Sequence, residues 1–290
     1  LPAILTVTLA IGVQRMAARQ AILRRLPAVE TLGSVSVICS DKTGTLTRNE
    51  MTVRAVATAE GVYAVGGEGY APRGGFSRDG AEKRPEAHPL LMEAAHAAAL
   101  CNDARLLEVD GAWRVDGDPM EGALLAFAAK AGLDREALAR TTPRVDEIPF
   151  DSAHRFMATL HHGHDGVGTI YLKGAPERVL ELCAAQRAPG DDAPLDPAFW
   201  RERIDAMAAE GQRVLAVAAK PAEGRLLAFA DAERGDFVLL GLLGLIDPPR
   251  AEAIEAIAEC RAAGIRVKMI TGDHGGTARA IAAQLGLENA

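Results

Sequence analysis

The sequence predicts an α/β protein: a parallel sheet interrupted by a large insert of mixed α+β character. Three observations predict it. Residues 35–39, Val-Ser-Val-Ile-Cys, form a short β-branched run that breaks into a polar loop with Gly44, as a buried strand does. Residues 265–270, Ile-Arg-Val-Lys-Met-Ile, read as another strand, preceded by a helical stretch over 252–263. Strand, helix and strand in that order imply a right-handed parallel arrangement. Between these flanks, over 49–246, the pattern of the parallel sheet stops, so a separate inserted domain is expected there.

The bulk numbers bound the rest. The chain has 290 residues, 49% hydrophobic and 24% charged, enough for about two domains with real cores. A formal charge of −7 argues against a nucleic-acid partner held by a general basic surface. Cys39, Cys101, Cys183 and Cys260 form no CxxC pair, so neither a zinc site nor a disulfide framework is suggested, and a reducing compartment is the simple reading.

Residues 1–13 are apolar and uncharged but too short to span a bilayer, which needs about 20 apolar residues. Arg15, Arg19, Arg24 and Arg25 follow, which places this end on the cytoplasmic side if the run is half of a membrane helix; a buried core helix fits the segment equally well.

The strand at 35–39 delivers Asp41 to the place where open α/β sheets put their chemistry. A carboxylate there can attack a phosphoryl group and carry it as an aspartyl phosphate. Lys42, the Thr43 and Thr45 hydroxyls and the loop amides are suited to hold phosphoryl oxygens, and Gly44 lets the backbone come close. A plain polar turn would account for a shorter match, but not for seven specified residues in a row after an apolar strand.

Asp41 to Thr47 read DKTGTLT, which resembles the phosphorylation signature of P-type ATPases, ion pumps of the haloacid-dehalogenase superfamily. The resemblance covers essentially all of the chain, and its motifs are most similar to the type II, calcium-pump-like cation transporters. It implies a haloacid-dehalogenase-like phosphorylation domain with a Rossmann-like parallel sheet, in two parts at 33–48 and 247–290, the second truncated. It implies a nucleotide-binding domain at 49–246, the cytoplasmic half of a transmembrane helix at 1–13 and a stalk at 14–32. In the family an ion-liganding Glu lies in a Pro-Glu-Gly-Leu-Pro turn, of which Leu1-Pro2 match the last two residues.

Within the insert, 63–80 is rich in Gly and reads as turns and loops. Helices are expected at 90–100, at 119–131 with Asp118 as N-cap and Gly132 beyond its end, at 176–183 and at 197–210. Strands are expected at 156–160, 168–172, 213–219 and 237–246. Four clusters offer a nucleotide site: Glu121 in the first turn of a helix, Phe150 with an aromatic face, Lys173-Gly174 between a strand and a helix, and Arg213 opening a strand. Together they are a stacking ring, two cations for phosphates and an acid for an exocyclic amine. Singly, each has a plainer role: Phe150 as core, Glu121 as a helix-dipole charge, Lys173 and Arg213 as surface cations. Their order is similar to the ATP-binding domain of type II pumps, which assigns Glu121, Phe150, Lys173, Gly174 and Arg213 to the ATP pocket. Arg155 stands where the family commonly has Lys; it keeps the charge with different geometry.

Two histidine patterns are weighed and set aside. His88-Pro89 is read as a loop, and His161, His162 and His164 as a solvated hairpin turn.

Asp247-Pro248-Pro249-Arg250 stops a strand with two prolines and resembles the family's return hinge, which adds Asp247 and Arg250 to the nucleotide-side residues. The following helix should bury Ile254, Ile257 and Cys260 and end at Gly264. Thr271-Gly272-Asp273 resembles the motif whose Thr and Gly hold the transferring phosphoryl group, and a last helix is expected over 277–285. The resemblance implies Asp41 as the phosphorylated nucleophile, with Lys42, Thr43, Thr271, Gly272 and Asp273 beside it, Asp41 and the Thr43 carbonyl as Mg2+ ligands, and ATP as substrate. The family's second acidic loop and a phosphate-facing Lys do not occur after Asp273, so the 290 residues alone are expected to bind ATP without turning it over. The implied function is ATP-driven cation transport by a multi-pass membrane protein, with most of this stretch facing the cytoplasm and the cation held by membrane helices outside it. A soluble phosphatase of the same superfamily usually carries Asp two residues after the nucleophile; here that residue is Thr43. A purely regulatory nucleotide-binding module would have no use for an intact DKTGTLT.

Overall fold

The computed structural model describes residues 2–22, 24, 31–163, 166–222, 224, 226–272 and 275–287. A helix, α1, runs over Pro2–Ala18, past the expected boundary at residue 13. Among the described residues no helix is long and apolar enough to cross a membrane. Much of the expected stalk lies outside the described residues.

Val37–Asp41 forms β1, and a tight turn over Lys42–Leu46 follows it. The chain then enters the insert with β2 (Thr52–Thr58), β3 (Gly61–Val65), β4 (Phe76–Arg78) and β5 (Ala81–Lys83). The 63–80 stretch is therefore not all turns. Tyr63, Val65 and Phe76 are buried in the sheet, and the glycines crowd into 66–75 between two of its strands.

Next come α2 (Pro89–Leu100), the hairpin β6 (Arg105–Val109) and β7 (Ala112–Asp116), α3 (Pro119–Lys130), α4 (Arg135–Thr141), β8 (Arg144–Asp151), β9 (Phe156–His162) and β10 (Gly168–Gly174). Then follow α5 (Pro176–Glu181), β11 (Cys183–Arg187), β12 (Asp192–Pro194), α6 (Pro197–Ala209), β13 (Arg213–Ala222), α7 (Phe229–Glu233) and β14 (Phe237–Ile246). Several helices start at an Asp. The carboxylates of Asp118, Asp134 and Asp196 accept two backbone N–H groups each, a cap worth about 1 kcal/mol.

The insert's main sheet has the order β5-β4-β3-β2-β14-β13-β10-β9-β8, antiparallel throughout, with β11 added in parallel beside the start of β14. One face packs Leu91, Ala94, Leu124 and Phe127 of α2 and α3 against Val217 and Leu243. The other packs Val179, Trp200, Met207 and Ala232 of the remaining helices against Phe156, Leu172 and Leu239. The many alanines of α2 let that helix lie close to the sheet.

After the insert come α8 (Ala251–Ala262), β15 (Arg266–Ile270) and α9 (Gly275–Gln284). β1 and β15 pair in parallel, with Val37 opposite Arg266 and Asp41 opposite Ile270. A third, smaller core joins Leu46 and Ile246 to Ala253, Ile257, Ile281 and Leu285. The stripe on α8 is turned from the expected one: Ala253 and Ile257 are buried, while Ile254 is exposed.

Candidate active site

Asp41 closes β1, exposed at its end. Because it stands opposite Ile270, the loop that opens with Thr271 starts one residue past the same level. Gly272 is exposed in that loop, and Asp273 lies outside the described residues. In the turn after Asp41, Gly44 takes φ +73°, a left-handed conformation in which a side chain would be strained. Thr43, Gly44 and Thr45 are exposed, whereas Lys42 and Thr47 are buried.

Thr47 anchors this turn. Its hydroxyl lies 2.6 Å from Asp247 Oδ2 and 3.1 Å from the Lys42 carbonyl, and it accepts the Gly44 amide at 3.4 Å. Asp247 is itself buried, and its other oxygen accepts the Glu50 amide. Arg250 donates Nε to the Thr47 carbonyl at 2.9 Å and Nη2 to the Gly44 carbonyl at 3.2 Å. Backbone bonds Arg48 N to Pro248 O and Arg250 N to Leu46 O tie the outgoing and returning segments together. Asp247 and Arg250, read from the sequence with the nucleotide residues, are engaged with the Asp41 turn and hold the crossing between the two parts of the chain.

The second group stands at one end of the large sheet. Gly174 faces both Phe156 and Ala216, so β9 begins where β10 ends; Arg213, three residues earlier in β13, faces Leu245 and carries the β13–β14 pair past that level. β14 leads from that end directly into Asp247. Glu121, in the first turn of α3, forms a buried ion pair with Lys173 Nζ. Its second oxygen accepts the Asp103 and Ala104 amides at 2.9 and 3.1 Å. Asn102, wholly buried, donates Nδ2 to the Glu121 carbonyl at 2.9 Å. The acid and the cation assigned to different parts of a nucleotide are thus in contact with each other.

A Cβ on Gly174 would lie 2.4 Å from the Arg155 carbonyl and 2.8 Å from Phe156 Cα, so only Gly lets the strands approach this closely. Arg155 has φ +58° and donates Nη1 to Glu177 at 2.8 Å. Phe150 is 62% exposed, which removes it from the core and leaves its ring face open to a planar ligand. Arg213 is exposed at the start of β13.

The histidines differ from expectation in one respect. His161 belongs to β9 and is buried, its ring nitrogens 3.0 Å from the Thr142 carbonyl and 3.1 Å from Thr159 Oγ1. Burial pushes its pKa below the usual value. His88 sits 3.1 Å from the Tyr63 hydroxyl, and His164 lies outside the described residues. Among the described residues no group of three or more His, Cys, Asp or Glu side chains is placed to hold a metal. Asp41 and the Thr43 carbonyl offer two hard oxygens, which fits a Mg2+ that keeps its waters and is shared with substrate phosphates rather than a dedicated protein cage.

The sequence reading missed the role of Asn102, whose signal was a buried-type polar residue directly after the α2 stop, and that of Thr47 as the anchor.

Comparison with known proteins gives the family. Residues 90–252, more than half of the chain, match the model of the P-type ATPase cytoplasmic domain N. The chain is 50% identical to a cation-transporting ATPase of Synechocystis, over 99% of this chain and 32% of the relative. It is 42% identical to a calcium-transporting ATPase of Bacillus subtilis, over 99% and 33%, and 40% identical to the human calcium-transporting ATPase type 2C member 1, over 99% and 30%. It spans about a third of the length of these relatives. The chain belongs to the P-type ATPase family.

Proposed function

We propose that this chain carries the nucleotide-binding and phosphoryl-accepting parts of a type II cation-transporting ATPase, a multi-pass membrane pump whose cytoplasmic portion includes most of these residues. The observation that carries the reading is the position of Asp41. It ends a strand paired in parallel with β15, level with the loop that opens at Thr271, in a turn anchored to the hinge that enters the nucleotide-type sheet.

In this reading 33–48 and 247–290 belong to a haloacid-dehalogenase-like phosphorylation domain and 49–246 to the nucleotide-binding domain. ATP lies with its base on Phe150 and its phosphates toward Arg155, Lys173 and Arg213. A carboxylate oxygen of Asp41 attacks the γ-phosphorus in line. The new O–P bond makes the aspartyl phosphate, the old O–P bond breaks, and ADP leaves. The Thr43 and Thr271 hydroxyls and the Gly272 amide donate to the phosphoryl oxygens. Bound Mg2+, held by Asp41 and the Thr43 carbonyl, would neutralise phosphate charge. Hydrolysis of the acyl phosphate then completes a cycle coupled, in the whole protein, to cation movement across the lipid membrane.

The test is Asp41→Asn in the full-length protein. ATP binding should be retained and ATP hydrolysis lost, because the amide keeps the shape but forms no acyl phosphate. Hydrolysis at the wild-type rate would overturn the reading.

A further inference from the structure

One cavity belongs to neither group. It has a volume of about 350 Å³ and is lined by Arg105, Arg135, Arg144, Asp103, Glu136 and His161, among others. Its guanidinium groups are unequally used. Arg144 is committed: Nη1 pairs with Asp103 and Glu147, both at 2.6 Å, and Nη2 donates to the Leu100 and Asn102 carbonyls. Arg135 gives Nη2 to the Asn102 carbonyl at 3.0 Å. Among the described residues no carboxylate pairs with Arg135 or Arg105. Asp103 is taken by Arg144, and Glu136 is exposed at the rim. Burial, and then the charges of Arg144 and Arg105, push the Arg135 pKa down. This half-buried guanidinium beside two others makes no ion pair among the described residues; the charges of Asp103 and Glu121 offset only part of what burial and the neighbouring cations take away, and a compact oxyanion supplies the rest.

We propose that this cavity is a second anion site, taking a small phosphate-bearing ligand on Arg135 and Arg105, and that it is coupled to the nucleotide cluster. The coupling runs through three residues. Arg135 and Arg144 hold the Asn102 carbonyl, and the next two amides, of Asp103 and Ala104, hold Glu121, the partner of Lys173. An anion that draws Arg135 away from Asn102 alters the seat of Glu121. The coupling rests on the nucleotide reading; the site itself does not.

The experiment is calorimetric titration of the full chain with inorganic pyrophosphate, in the presence of a saturating non-hydrolysable ATP analogue that blocks the nucleotide pocket. Wild type should bind one pyrophosphate. Arg135→Gln and Arg105→Gln should each weaken that binding at least about tenfold, the scale for losing one hydrogen bond to a charged group. Arg105 is exposed and without a carboxylate partner, so its variant keeps the fold even if the Arg135 variant does not. No pyrophosphate binding to wild type, or unchanged affinity in the folded variants, overturns the site. Pyrophosphate should also change the affinity for the ATP analogue, and the analogue should change that for pyrophosphate by the same factor. Equal affinities with and without the second ligand overturn the coupling alone. Failure of the analogue to bind, with pyrophosphate still bound, overturns the nucleotide reading and leaves the site standing.

Discussion

The Asp41 turn and the Lys173 cluster differ in how they are assembled. The turn takes Asp41, the proposed nucleophile, two exposed threonines, its left-handed glycine and its buried anchor from residues 41–47, and only Asp247 and Arg250 come from elsewhere. The Lys173 cluster draws Glu121 from a helix, Phe150, Lys173 and Arg213 from three strands, and Arg155 from the turn between β8 and β9. In the first region Asp41, Thr43 and Thr45 are exposed, while Lys42 and the anchor Thr47 are buried. In the second Lys173 and Glu121 pair largely out of solvent, while Phe150, Arg155 and Arg213 are exposed. A contiguous site is fixed by its own backbone, whereas a dispersed one depends on strand register, so the two should fail differently when mutated.

The largest effect should come from the buried pair. Glu121→Leu removes the partner of Lys173 and the acceptor of the Asp103 amide, while the Ala104 amide keeps only its bond to Asn102 Oδ1. Denaturant unfolding should show a loss of about 3–5 kcal/mol. Lys173→Met should cost clearly less, because Glu121 keeps its two amide donors. Equal losses would mean the amides contribute nothing.

In the turn, Thr47→Val should cost about 2 kcal/mol, since it deletes a hydrogen bond to the buried Asp247 carboxylate while keeping side-chain shape. The loss should appear in the melting of the lobe around Leu46 and Ile257 and leave nucleotide affinity nearly unchanged. A fall in affinity as large as the fall in stability would erase the distinction between the regions.

Phe150→Ala should reverse that pattern. The ring is exposed, so stability should change by less than about 0.5 kcal/mol. Affinity for ATP should fall by about 1–3 kcal/mol if the ring stacks on the base, and Phe150→Trp should restore much of it. A drop in melting temperature with unchanged affinity would contradict the stacking role.

The smallest effect is a pH slope. Burial keeps the His161 ring neutral to lower pH than in the unfolded chain. Below about 6.5 the unfolded chain binds the proton first, so stability falls as pH drops from about 6.5 toward the lower folded value. The slope should be missing in His161→Gln. An identical slope in the variant would assign it to other groups.

How far each region was legible in the sequence follows from the same difference. The Asp41 turn was readable because its signal is contiguous and its strand is apolar. The return strand at 266–270 and the helix capped by Asp118 were readable because periodicity and caps are local, whereas the short Asp134-capped helix α4 was not read. Residues 63–80 were misread because seven glycines and prolines dilute the alternation of Tyr63, Val65 and Phe76, which only pairing across the sheet reveals. His161 looked like turn chemistry because glycine follows nearby, but its strand continues to His162. The ion pair of Glu121 with Lys173 was beyond reach, since nothing in either local sequence says that α3 lies over the end of β10. Ile254 looked like core because its helix is amphipathic, yet the buried stripe is set by what α8 packs against.

In the proposed function Asp41 receives phosphate from a nucleotide held at the end of the large sheet from which β14 runs into Asp247. The most direct test is to expose the full-length protein to ATP labelled on the γ-phosphate, quench in acid and map the labelled peptide. The label should sit on the peptide containing Asp41, and Glu121→Leu protein that remains folded should acquire it only at higher ATP concentration. Label on a different carboxylate, or labelling of wild type that is insensitive to changes at both Glu121 and Phe150, would contradict the account.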